Sequence, residues 1–213
     1  SGSETHRAMM EGVIFLLLAA QQTPADLQSA VARWQKASSA LAVAGSVSLN
    51  GGPPAKAVFA WNQPSKQNLL IDFTSVRLEY RQNGSERIEI DHTDKEYVAY
   101  PGPIRLTLAE GETGPLLSRC YPWFLLAPPA WITTMEGTKP KVTLGAPAGD
   151  DPTTVLLFEQ GNRLSGSMVR ATVGRSGRIY DVEQSETVNG NSTSVRFTIT
   201  DWKAPFRPNY SVQ

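Results

Sequence analysis

The chain has 213 residues, with 20 Lys and Arg against 20 Asp and Glu, so its formal charge is zero and it carries no basic excess to condense onto phosphate. One cysteine, Cys120, excludes an internal disulfide and a thiolate zinc cage, and the two histidines, His6 and His92, supply few imidazole ligands. A 40 % hydrophobic share is that of a folded chain rather than a disordered one, so nucleic-acid partners, zinc chemistry and disorder drop out together.

Residues 12–20, GVIFLLLAA, form an apolar run too short to span a membrane but of the length found in a signal-peptide core. His6 and Arg7 precede it, and Ala19 and Ala20 close it before the polar Gln21 and Gln22. The layout reads as an export signal cleaved after Ala20, with residues 1–8 as upstream or tag sequence, although Glu11 is untypical of such a signal. The alternative is a buried amino-terminal segment, in which 13–20 packs against the protein's own apolar surface. The expected domain is then a single unit over residues 21–213.

Thr23-Pro24-Ala25-Asp26 supplies an N-cap, a proline at the first helical position and a carboxylate three residues after the cap. A helix should therefore start at Pro24. Leu27, Val31 and Trp34 recur at spacings of four and three and give it an apolar stripe that must cover something.

From Leu41 onward the period changes to two, and short alternating stretches separated by Gly, Pro and Asn read as strands. Val47 and Leu49 lie in the first, Phe59 and Trp61 in the second, and Leu78 with Tyr80 in a later one that follows Val76. Asn83-Gly84 predicts a type I′ hairpin turn into a strand carrying Ile88 and Ile90. Residues 97–100 and 104–108 continue the series. In 114–126, Leu116, Leu117, Cys120, Trp123 and Phe124 recur at helical spacing until Pro122 interrupts, which predicts a short or broken helix. Strands follow at 141–144, 154–158, 166–173, 178–187 and 193–201, the last carrying Val195, Phe197 and Ile199.

The pattern predicts a mainly β fold of ten or more antiparallel strands with few helices. Strand twist is expected to curl so large a sheet into a half-barrel closed on one side by a helical lid. The expected inward residues are Val47, Leu49, Phe59, Trp61, Leu78, Tyr80, Ile88, Ile90, Val195, Phe197 and Ile199, and the expected lid residues are Leu27, Val31, Trp34, Leu116, Leu117, Trp123 and Phe124. Periodicity marks these positions as buried and is silent on whether side chains or a guest fill the volume between them.

The order of elements resembles the Lol-type periplasmic lipoprotein carriers and their wider superfamily. Four stretches carry the resemblance: the helix over 26–36, Phe59-Ala60-Trp61-Asn62-Gln63-Pro64, Glu96-Tyr97-Val98-Ala99-Tyr100-Pro101, and residues 171–197, which contain Val173-Gly174-Arg175-Ser176-Gly177-Arg178-Ile179 and end at Phe197 before a Pro-containing tail. The resemblance implies a half-barrel roofed by helices, a cavity for acyl chains, and transfer in the periplasm without covalent chemistry. Its implied partner is a lipid or the acyl end of a lipoprotein, with an envelope protein delivering or receiving it and no cofactor. Where the carriers place an arginine before the proline of the second strand, this chain has Gln63. The superfamily also includes envelope sensor domains, so a sheet used as an interaction scaffold is the alternative.

Catalytic readings are weaker. Asp91-His92-Thr93-Asp94 sets an imidazole between carboxylates, and a polar turn between strands accounts for it. Cys120 beside Arg119 reads as a buried thiol on an apolar helical face. Glu89 and Asp91 read as charges on a solvated strand face. No catalytic or metal-binding residue is therefore expected.

Overall fold

The computed structural model of the protein describes residues 22–37, 40–62, 66–101, 139–162 and 164–212. Its first element is set by Thr23, whose hydroxyl donates to Asp26 Oδ2 at 2.8 Å and accepts from the Asp26 amide at 3.2 Å. This reciprocal cap satisfies amides that the first helical turn leaves open, and helix α1 (Pro24–Ala37) begins where the capping sequence places it. Hydrogen bonding to Thr23 also holds the Asp26 carboxyl below its ordinary value.

Eleven strands follow: β1 (Ala40–Leu49), β2 (Ala55–Asn62), β3 (Lys66–Asp72), β4 (Arg77–Asn83), β5 (Glu86–Asp91), β6 (Glu96–Pro101), β7 (Lys141–Leu144), β8 (Thr153–Gly161), β9 (Ser165–Gly174), β10 (Ile179–Val188) and β11 (Asn191–Asp201). All lie in one antiparallel sheet in the order β6-β5-β4-β3-β2-β1-β11-β10-β9-β8-β7. The chain enters at the middle with β1, adds strands outward to β6, and resumes at the far edge with β7. It then works back until β11 pairs with β1, where Val47 lies opposite Phe197.

The half-barrel under a helical lid is not what forms. The sheet is open, its end strands β6 and β7 are not joined to each other, and among the described residues one short helix accompanies it. Closing or deeply curling a sheet needs a stagger and tilt shared by all its strands, and side-chain alternation specifies neither. The expected second lid segment, with Leu116, Leu117, Trp123 and Phe124, lies outside the described residues, as do the apolar run 13–20, Gln63 and Cys120.

One face of the sheet holds the core. Residues directly opposite in an antiparallel ladder share a face, so the register can be followed strand by strand. Val47 leads through Phe197, Val182 and Ala171 to Leu156 on one side, and Phe59 leads through Leu69 to Tyr80 on the other, all of them buried. Leu27, Ala30 and Val31 of α1 are buried and Trp34 is partly so; Leu27, Val31 and Trp34 pack with the core. The helix sits against the β9–β10 turn at Gly177, whose φ is +87° and where any Cβ would strike the Ala30 carbonyl.

The opposite face is crossed by the carboxyl-terminal residues. The Ala204 amide donates to the Ala42 carbonyl at 3.0 Å, the Asn209 amide to Asn68 Oδ1 at 2.9 Å, and Arg81 Nη1 to the Ser211 carbonyl at 3.4 Å. The tail thus runs from β1 over β3 to β4 as a strap. At its root, Trp202 meets the Tyr180 ring edge-on at 4.7 Å and lies under the Arg178 guanidinium.

Phe197 stands at the join of the two halves and is buried. Phe197→Ala is expected to lower unfolding free energy by about 3–5 kcal/mol in a urea titration. Tyr97→Ala, at a position 69 % exposed, should change it by about 0.5 kcal/mol or less. Equal losses at the two positions would contradict this placement of the core.

Candidate functional site

The sheet face that carries the core is the surface on which an apolar guest would have to lie. Of the residues expected to line it, Val47, Phe59, Leu78, Tyr80, Phe197 and Ile199 belong to one buried cluster, and Leu49 and Val195 pack half-buried against it. Trp61 holds the backbone position between Leu41 and Gln67 in the same register. The cluster also takes in residues not singled out in the sequence, among them Val43, Leu69, Ile71, Leu156, Phe158 and Val169. For Leu156 and Phe158 or Val169, Ala171 and Val173 the signal was present as alternation within stretches read as strands, whereas Leu69 and Ile71 belong to β3, a strand that the sequence reading did not identify.

Ile88 and Ile90 are not brought to this face. Asn83 pairs with Glu86 around a two-residue turn, which sets Tyr80 opposite Glu89 and Leu78 opposite Asp91, while Ile88 faces Arg81 and Ile90 faces Glu79. The two isoleucines therefore stand on the outer face. The turn itself lies one residue later than expected: Gly84 is its first central residue and has φ +65°, the position that a type II′ turn reserves for glycine.

The same parity corrects the reading of Glu89 as a solvated charge. Glu89 is 7 % exposed and lies on the core face beside Tyr80. One step nearer the β4–β5 turn, Gln67, Gln82 and Arg87 are directly opposite one another across β3, β4 and β5. Gln67 and Gln82 are buried. The Tyr80 hydroxyl donates to Gln82 Oε1 at 3.0 Å, and Gln82 Nε2 donates to the Gly84 carbonyl at 2.9 Å. Burial pushes the Tyr80 hydroxyl well above the ordinary tyrosine range; the Arg87 charge draws it back and the Glu89 carboxylate pushes it further. The core face thus passes from aliphatic at β1 to hydrogen-bonding at β4 and β5.

On the outer face a second polar group centres on Glu79. Its carboxylate accepts from Asn68 Nδ2 at 2.8 Å and from Arg81 Nε and Nη2 at 2.8 and 2.9 Å. His92 Nε2 lies 2.7 Å from its Oε2. The partner of His92 is therefore Glu79 across the sheet, while the neighbouring Asp91 accepts the Thr93 and Asp94 amides and shapes the turn. Among the described residues no three His, Cys, Asp or Glu side chains are grouped as metal ligands. No described helix is long and apolar enough to cross a membrane.

No family model and no curated protein matches the chain. Among solved structures it is similar to a LolA superfamily protein from Nitrosomonas europaea, at 13 % identity and a TM-score of 0.29. The match covers 79 % of this chain and 86 % of that one. The superfamily resembled in sequence thus has a weak counterpart among solved structures, and at that TM-score the likeness does not extend to the shape of the sheet or to any residue's role.

For Glu79, burial pushes the carboxyl up, but hydrogen bonds from Arg81, Asn68 and His92 with the Arg81 charge outweigh it and hold it below its ordinary 4.5. A carboxyl depressed in the folded state contributes stability that is complete above its unfolded value and is lost as pH falls through the folded one. Wild-type unfolding free energy is therefore expected to decline from about pH 5 downward, and Glu79→Gln to flatten that acid limb. Parallel acid limbs in the two proteins would remove Glu79 from this role.

Proposed function

We propose that the protein binds and carries a lipid, or the acyl chains of a lipoprotein, by non-covalent burial against the core face of its sheet, in the periplasm or cell envelope. The observation that carries this reading is the extent of the apolar face. It runs from Leu156 on β8 to Leu78 on β4, and the described cover is one helix of 14 residues, about 21 Å long.

A magnitude decides whether exchange is feasible. A sixteen-carbon chain gains about 12 kcal/mol at ~0.8 kcal/mol per buried methylene. Lifting Leu27, Val31 and Trp34 from the face costs about 5–9 kcal/mol at ~1.5–3 kcal/mol per side chain. The guest can therefore replace the helix stripe with a few kcal/mol remaining for its own ordering, and return of the helix would favour release. The apolar run at 12–20, with its export layout, supports the compartment.

The second reading is an envelope sensor or interaction domain that uses the sheet as a scaffold. It is favoured by the burial of the core face and by Tyr97 and Val98 on the end strand β6, 69 % and 49 % exposed.

Native mass spectrometry with organic extraction, on full-length protein purified without detergent from a membrane-containing host, is expected to find near-stoichiometric lipid. Added fluorescent fatty acid should exchange with it and raise the melting temperature. An empty protein that takes up no acyl probe would overturn the carrier reading in favour of the scaffold.

A further inference from the structure

We propose that Asn83 is a site of spontaneous covalent modification, at which the Gly84 backbone amide attacks the asparagine side chain and converts it to aspartate and isoaspartate in the folded protein. The chain holds three Asn-Gly pairs, Asn50-Gly51, Asn83-Gly84 and Asn189-Gly190, and all three are exposed at turns between neighbouring strands. With no Cβ on the following residue, its amide can approach the side-chain carbonyl closely, so the dipeptide by itself gives the three the same reactivity. The structure separates them.

Asn50 and Asn189 are the first central residues of left-handed turns, at φ +50° and +53°. Asn50 Oδ1 accepts the Ser194 amide at 2.7 Å, which ties the side chain to β11 and away from the Gly51 amide. At Asn189 it is the attacking group that is engaged, because the Gly190 amide donates to the Leu164 carbonyl at 3.0 Å. Asn83 differs in both respects. Its turn is centred on Gly84 and Ser85, so Asn83 is the last paired residue of β4, opposite Glu86, and is relieved of the turn-forming role. Among the described residues neither its side chain nor the Gly84 amide has a hydrogen-bond partner; only the Gly84 carbonyl is held, by Gln82 Nε2 at 2.9 Å. Electrophile and nucleophile are adjacent, exposed and uncommitted.

The conversion needs only water. Gly84 N bonds to Asn83 Cγ and gives its proton to solvent, while the Cγ–Nδ2 bond breaks and the nitrogen takes up a proton and leaves as ammonia. Water then opens the cyclic imide. Opening at the side-chain carbonyl leaves aspartate, and opening at the backbone carbonyl leaves isoaspartate, whose main chain is one carbon longer. The new carboxylate stands directly opposite Glu86 on β5 and Lys66 on β3, and like charges opposite one another destabilise a ladder. The extra carbon of isoaspartate falls within the short turn whose length sets Tyr80 opposite Glu89, so ageing at Asn83 loosens the β4–β5 pairing.

The test incubates the full chain at neutral and alkaline pH, folded and in urea, and follows each Asn-Gly pair by peptide mapping for the mass change of amide to acid. Isoaspartate is read separately, as methyl groups accepted from an isoaspartyl methyltransferase. In the folded protein Asn83 is expected to convert several-fold faster than Asn50 or Asn189, and faster as pH rises because the attacking amide must lose its proton; in urea the three rates should converge. Asn83→Ser, an exposed change with little expected effect on the melt, should remove most methyl acceptance from aged folded protein, and Asn50→Ser should not. Asn50 or Asn189 keeping pace with Asn83 in the folded protein, or Asn83 unchanged there while the urea sample converts, would overturn the assignment, and this comparison needs no variant.

Discussion

The pairing of β1 with β11 is the contact on which the rest depends. Strands β1 to β6 and strands β7 to β11 are each a run of antiparallel neighbours, and neither run by itself encloses the core. Val47 opposite Phe197 and Gly45 opposite Ile199 merge them into one apolar face, with the Gly45 backbone so close to Thr198 that no side chain fits between. This ladder joins residues some 150 positions apart. It closes a long loop that must be ordered before the contacts that reward it exist, which makes the seam both the thermodynamic centre and the slow step expected of such a topology.

Much of the sheet is legible as alternation, because a strand with one buried face must place apolar residues at every second position. Val47, Phe59, Leu78 and Phe197 are found this way, and the helix start follows from the reciprocal hydrogen bonds that Thr23 and Asp26 must make. Alternation inside each strand does not state which alternating set of the next strand shares its face. Turn length does. A two-residue turn pairs even positions with odd ones, so a chain that reads Leu78 and Tyr80 inward must read Glu89 inward as well. Treating the apolar set of β5 as inward put Ile88 and Ile90 on the wrong side and made a buried carboxylate look solvated. The curl of the sheet was not legible, since the same alternation serves an open sheet and a half-barrel.

Strand β4 explains why the polar residues gather at this end. Its residues 78, 79, 80 and 82 are all buried, a two-sided burial that alternation alone does not describe. Outward, Glu79 is packed beneath the tail through Asn68 and Arg81; inward, Tyr80 borders the amides and Arg87. Asn68 ties the outer group to the strand backbone and the tail, since its Nδ2 donates to Glu79 Oε1 and to the Tyr80 main-chain carbonyl while its Oδ1 takes the Asn209 amide. A buried amide with these partners resists displacement, because freeing any one strands a polar group away from water.

Both faces of β3 to β5 therefore carry buried hydrogen-bonding groups. At the end of an open sheet the outer strands have fewest neighbours to hold their register. The tail and the Glu79 group supply that restraint from behind, by tying β3, β4 and the turn after β5 into one hydrogen-bonded unit. The apolar face near β1 needs no such backing, since α1 and the seam pack it from both sides. The hydrogen-bonded restraint is thus concentrated at β3 and β4, while α1 is held by the apolar packing of Leu27, Val31 and Trp34 and by the close approach of Ala30 to Gly177.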